Sequence, residues 1–144
     1  MTNLELLKEA EKARLKAYTP YSHFQVGAVL ETRDGKLYYG ANIENASYGA
    51  TNCAERTAFF KAIYEGEREF SRIAIAGGPE GSRPDSTCAP CGICRQVMRE
   101  FCQPEEFMII LSDGKNGVIE KSLEELLPLS FGPEALNRVG GGFK

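Results

Sequence analysis

A single histidine, His23, serves the whole chain of 144 residues. It lies far in sequence from every candidate metal ligand and reads as solvent-facing. A metal centre built on imidazole and acid–base chemistry run by histidine are therefore excluded. Proton transfer falls to a carboxylate and a metal. No apolar run approaches the ~18 residues that a membrane-crossing helix needs. Basic charge is not in excess: 17 Lys and Arg face 20 Asp and Glu, for a net charge of −3. Neutralising a phosphate backbone takes a basic face, so nucleic acid is not expected as a partner, and neither is a membrane. The stretch 1–17 is charged and helix-like, unlike a secretion signal. Five cysteines, an odd number, then fit a reducing, cytoplasmic setting with metal-bound thiolates better than a disulfide framework. No internal repeat or interdomain linker is visible. Residues 1–144 read as one domain, with the glycine-rich stretch 139–144 as a mobile tail.

Periodicity places the elements. Leu4, Leu7, Ala10, Ala13 (or Arg14), Leu15 and Ala17 form a helical stripe over 3–18, capped by Thr2 or Asn3 and ended at Thr19-Pro20. Apolar, β-prone runs at 24–32 and 37–41 flank Arg33-Asp34-Gly35-Lys36, a hairpin signal. Residues 44–51 read as a loop. A buried helix is predicted over 53–65, stopped by Gly66. A short strand over 72–76 and a long loop over 77–89 precede a second helix over 92–101. Strands are predicted at 107–112 and 118–121, then a Ser122-x-x-Glu125 capping box and a short helix near 133–137. Strands alternating with helices imply an α/β sandwich with a mixed sheet.

Two short stretches carry the chemistry: Cys53-Ala54-Glu55-Arg56 and Pro90-Cys91-Gly92-Ile93-Cys94. Together they offer three thiolates and one carboxylate. Cys91 and Cys94, three apart, share one helix face and can grip one ion. Three soft ligands suit zinc with a fourth position open, the pattern of a catalytic site; a closed structural site wants a fourth Cys or His. Glu55, a harder ligand, is better placed as a proton carrier, although most helix glutamates are merely solvated. Both ligand stretches are expected to open helices, whose N-termini favour thiolates. Arg56, helped by Arg95, is expected to donate hydrogen bonds to the sulfurs and draw off their charge, against the plainer reading of a surface ion-pair residue. Cys88 and Cys102 are left over. Cys102 reads as a small core residue, and a binding Cys88 would close the site.

These stretches resemble the zinc-dependent cytidine deaminase family, small homotetrameric class. Pro20-Tyr21-Ser22, Phe24-Gln25-Val26-Gly27, Asn42-Ile43-Glu44-Asn45-Ala46-Ser47-Tyr48 and Ser130-Phe131-Gly132-Pro133 carry the resemblance further, in the family's order, over 18–133. It implies a three-layer sandwich around a five-stranded mixed β-sheet and one Zn2+ per chain. It implies hydrolytic deamination of cytidine and deoxycytidine, in pyrimidine salvage, with Cys53, Cys91 and Cys94 as ligands and Glu55 as proton shuttle. By the same resemblance Asn42 and Glu44 hold the sugar hydroxyl, Phe24 packs on the base, the backbone at Ala54 reads the pyrimidine edge, and Phe131 reaches into a neighbouring subunit's site. Taken without it, Asn42 and Glu44 read as turn residues, and Phe24 and Phe131 as core. The lack of a Gly-rich phosphate cradle favours a nucleoside over a nucleotide.

Overall fold

The computed structural model describes residues 1–84 and 86–137, so the glycine-rich tail lies outside the described residues. A five-stranded mixed sheet runs in the order β2-β1-β3-β4-β5. The strands are β1 (Phe24–Thr32), β2 (Leu37–Ala41), β3 (Phe70–Pro79), β4 (Met108–Ser112) and β5 (Val118–Ser122). Only β3 and β4 pair in parallel. The Asp34-Gly35 hairpin forms as expected, with Gly35 at φ +92° where a left-handed backbone is needed.

Alternation along the strands assigns two faces. Val29, Ala74, Ala76 and Ile110 pack under α1 (Asn3–Ala13) with Leu6, Leu7 and Ala10. Ala28, Leu30, Ile73, Ile75, Ile109 and Leu111 point the other way, into the larger core with α2 (Ala54–Tyr64), α3 (Gly92–Phe101) and α4 (Leu123–Leu126). Helices on both faces make the three layers. A short α5 (Pro133–Asn137) follows. Two glycines bring helix backbone onto strand backbone. A Cβ at Gly27 would sit 2.2 Å from the Ala10 carbonyl oxygen, and one at Gly40 would sit 2.3 Å from that of Ala54.

Three expectations are corrected. The first helix ends at Ala13, capped by a Thr2–Glu5 capping box, and a 3-10 turn over Arg14–Lys16 replaces its last part. Arg14 is the cause, because its side chain turns inward and is 3 % exposed. Its guanidinium donates to the carbonyls of Gln25 (3.2 Å), Gly78 (2.9 Å), Pro79 (2.8 Å) and Ser82 (2.8 Å). Next, β3 extends well past the predicted 72–76. Gly77, Gly78 and Pro79 look like loop residues, yet they pair with Val26, Gln25 and Phe24, and Arg14 fastens that end. Lastly, the expected loop over 44–51 contains a 3-10 turn, Tyr48–Ala50.

Candidate metal and catalytic site

Cys53 is the N-cap of α2 and Cys91 the N-cap of α3, both in extended backbone. Two helix N-termini thus converge, each presenting positive dipole to the same point. The sulfurs of Cys53, Cys91 and Cys94 all lie within 4.8 Å of one another. Their donor chemistry fits zinc. The Cys94 S–H donates to Cys53, which holds the Cys53 thiol down at about 5; Arg56 adds to this against the effect of burial. The same bond, with burial, drives the Cys94 thiol far up. One negative charge is therefore favoured over two on this half-buried and buried pair of sulfurs. A divalent cation lets both ionise. Arg56 supplies the second observation of fit. Its Nη2 donates to Cys53 Sγ at 3.3 Å, while its Nε is buried without a hydrogen-bond partner among the described residues. A donor left over beside sulfur suits a thiolate-rich centre.

Glu55, the first-turn acid of α2, is 4 % exposed. Burial pushes its carboxyl up to about 7, against the pull of its own backbone N–H, and the negative charge of Cys53 adds to the rise. A carboxyl poised there gives and takes a proton near neutrality. Ala54 is fully buried beside it. Cys88 is outside the sulfur cluster. Burial, then the charges of Glu55 and Cys53, pushes its thiol up to about 11, which suits a neutral wall residue. Cys102 is buried in the larger core, as expected. His23 is exposed, also as expected, with its ring 3.4 Å from Glu80. Arg95 departs from expectation. It donates to the carbonyls of Pro90 (2.7 Å) and Leu126 (2.6 Å), because α3 aims it along its own N-terminal loop.

The rim comes from other elements. Phe24 is exposed at the start of β1. A Cβ at Gly77 would lie 3.2 Å from Phe24 Cε1 and 2.6 Å from Cys88 Sγ, so this glycine lets both side chains close over β3. Asn42 Oδ1 accepts from the Val26 N–H and its Nδ2 donates to the Phe24 carbonyl, each at 2.9 Å. Glu44 accepts from the N–H groups of Tyr21 and Ser22 and from the Ser22 hydroxyl. These bonds fix 21–26, and they lower the Glu44 carboxyl, the Ser22 hydroxyl first among the causes. An amide and a carboxylate can each make more bonds than these. Phe131 is 59 % exposed, and its carbonyl accepts from Gln96 Nε2 at 2.9 Å.

Residues 1–110 match the model of the family described as cytidine and deoxycytidylate deaminase zinc-binding region. The chain belongs to this family. A cytidine deaminase of Halalkalibacterium halodurans is 50 % identical over 132 residues, spanning 92 % of this chain and 96 % of that one. One of Sporosarcina psychrophila is 46 % identical over 133 residues, or 92 % and 93 %. Among solved structures, the cytidine deaminase of Burkholderia pseudomallei is 48 % identical, with a TM-score of 0.81 over 91 % of this chain and 100 % of that one. The five-stranded mixed sheet and the zinc centre expected from the sequence both agree with this membership.

Two residues of this family member escaped the sequence reading. Thr57 bonds the Cys53 carbonyl with its hydroxyl (3.1 Å) and receives Asn52 Nδ2 (3.1 Å), fixing the first ligand's backbone. A Thr four residues after a helix-opening Cys was the available signal. Arg14 is the other, and a cation inside an apolar stripe was its only mark.

Proposed function

We propose that the chain, acting as one domain, converts cytidine and deoxycytidine with water to uridine and deoxyuridine, releasing ammonia. The observation that carries this is Glu55, a buried carboxyl titrating near neutrality beside a three-sulfur cluster. Cys53, Cys91 and Cys94 would hold zinc, which when bound would supply an acidified water for attack at C4 of the pyrimidine. Glu55 would take one proton from that water and give it to N3 of the ring, then take the second from the new C4 hydroxyl and give it to the departing amine. The C4–O bond forms, the C4–N bond breaks, and no redox partner is needed. Arg56 holds charge on the sulfurs in check. The backbone at Ala54 meets the pyrimidine edge and Phe24 its face, while Asn42 and Glu44 bond the sugar hydroxyl.

In this reading the protein is a cytoplasmic homotetramer, and Phe131 stacks on a base held in a neighbour's site. Its exposure supports that assignment, as do the exposed Leu129 and Ile93. The thiolate centre supports a reducing compartment. The test is cytidine turnover followed by ultraviolet absorbance, with zinc and molecular mass measured on the same sample. Turnover with about one zinc per chain and a mass of four chains is expected. Zinc-loaded protein that leaves cytidine untouched would overturn the proposal.

A further inference from the structure

The helix that opens with Cys91 and Cys94 also grips the segment carrying Phe131. Arg99 on α3 donates from Nε to Ser130 Oγ at 2.8 Å, and its Nη2 pairs with Glu134. Its side chain is 11 % exposed. Gly132 makes room for it: a Cβ there would lie 2.4 Å from the guanidinium carbon. Gln96, one turn earlier, holds the Phe131 carbonyl. Ser130, Phe131 and Glu134 are thus each held from one helix through polar groups. Just before them, Leu129 sits at φ +52°, a conformation a leucine rarely takes, with its side chain wholly in solvent. Such strain persists only where neighbouring contacts over-determine the backbone. The contacts described for this segment hold its backbone, while the Phe131 ring stays largely exposed.

We propose that Arg99, assisted by Gln96, is the positioning residue for Phe131. It fixes the direction in which the ring leaves the surface, and so the distance at which it meets a base. The inference rests on the reading of Phe131 as the base-stacking residue. Arg99 does not touch the nucleoside. Its removal should weaken substrate binding through Phe131 alone and leave proton transfer at Glu55 intact.

The test is a mutant cycle on the zinc-loaded protein with Arg99→Met, Phe131→Ala and the double variant. KM and kcat for cytidine, the Kd of uridine by calorimetry, and zinc per chain are measured on each. Phe131→Ala should raise KM and Kd roughly three- to tenfold, the size of an aromatic stacking contact. Arg99→Met should raise both by a similar factor, with kcat within about twofold and zinc unchanged. The double variant should be no worse than Phe131→Ala. Unchanged KM in Arg99→Met, or factors that multiply in the double variant, would overturn the positioning role. No effect from Phe131→Ala itself would instead sink the stacking reading on which it rests. Should Arg99→Met lose zinc or fold poorly, Ser130→Ala decides, since it removes the Nε partner with little change in volume. Raised KM and Kd there support the proposal, and unchanged values end it.

Discussion

Ala54, Glu55 and Cys94 are walled in by α2, α3 and the sheet, whereas Phe24, Ile43, Tyr48 and Phe131 are each more than a third exposed. The two regions obey different rules. In the inner region burial is the working principle: it lifts Glu55, and helix ends and Arg56 manage the charge. At the rim, Asn42, Glu44 and Gln96 hold backbone by hydrogen bonds, and the apolar side chains are left free. A flat, polar nucleoside needs both. The reaction wants a dry site, and release of product wants a wall that opens.

Glu55→Gln should break the inner region while sparing the rim. Zinc per chain, fold and uridine affinity should persist, and turnover should fall by ~100- to 10,000-fold or more, because one carboxyl serves as both base and acid. Assays of kcat beside metal analysis check this, and loss of zinc would make Glu55 a ligand. The rim is sharpened by mixing subunits. Glu55→Gln chains carry an intact Phe131, and Phe131→Ala chains carry an intact Glu55. Once exchange of subunits between assemblies is demonstrated, sites combining an intact Glu55 with a neighbour's Phe131 should recover low KM, reversing the roughly three- to tenfold rise of Phe131→Ala alone. No recovery would place Phe131 in its own chain's site.

The smallest effect lies away from both regions and serves as their control. Arg72 holds Glu31 by Nε at 2.7 Å, and this bond keeps the Glu31 carboxyl below its ordinary 4.5. A depressed carboxyl stabilises the fold above its unfolded value, and that stability fades as pH falls through the lower folded value. Relative to wild type, Glu31→Gln should therefore cost about 1 kcal/mol near pH 7 and progressively less as pH falls below 4.5, with KM and kcat unchanged at neutral pH. Urea unfolding across this range measures the gap. A gap of constant size would show that packing, not charge, is lost.

Much of this arrangement was legible in the residues. Asp34-Gly35 marked the hairpin, Pro90 and the period of 92–101 marked α3, and Ser122-x-x-Glu125 formed the cap it suggested. The Cys91–Cys94 pair was legible from spacing along a helix, and Cys53 joined it by ligand count and family resemblance. What failed was whatever depended on partners distant in sequence. Gly77-Gly78-Pro79 has the composition of a loop and becomes strand only because β1 and Arg14 are there to receive it. Arg95 stood beside a ligand in sequence but bonds carbonyls along α3's loop and α4. The grip of Arg99 on 130–134 joins residues more than thirty apart, which no local pattern encodes.

The close approaches at Gly27 and Gly40 bear on how this chain can change. At each, helix main chain lies where a methyl group would go. Even alanine there must push α1 or the start of α2 off the sheet, and the second displacement drags Cys53 with it. Natural drift and laboratory libraries alike should find these two positions closed. Positions 24 and 131 are exposed, with room to accept new shapes. A search for activity on altered nucleosides therefore has its freedom at the mouth of the site, and the layer beneath is the part it must leave alone.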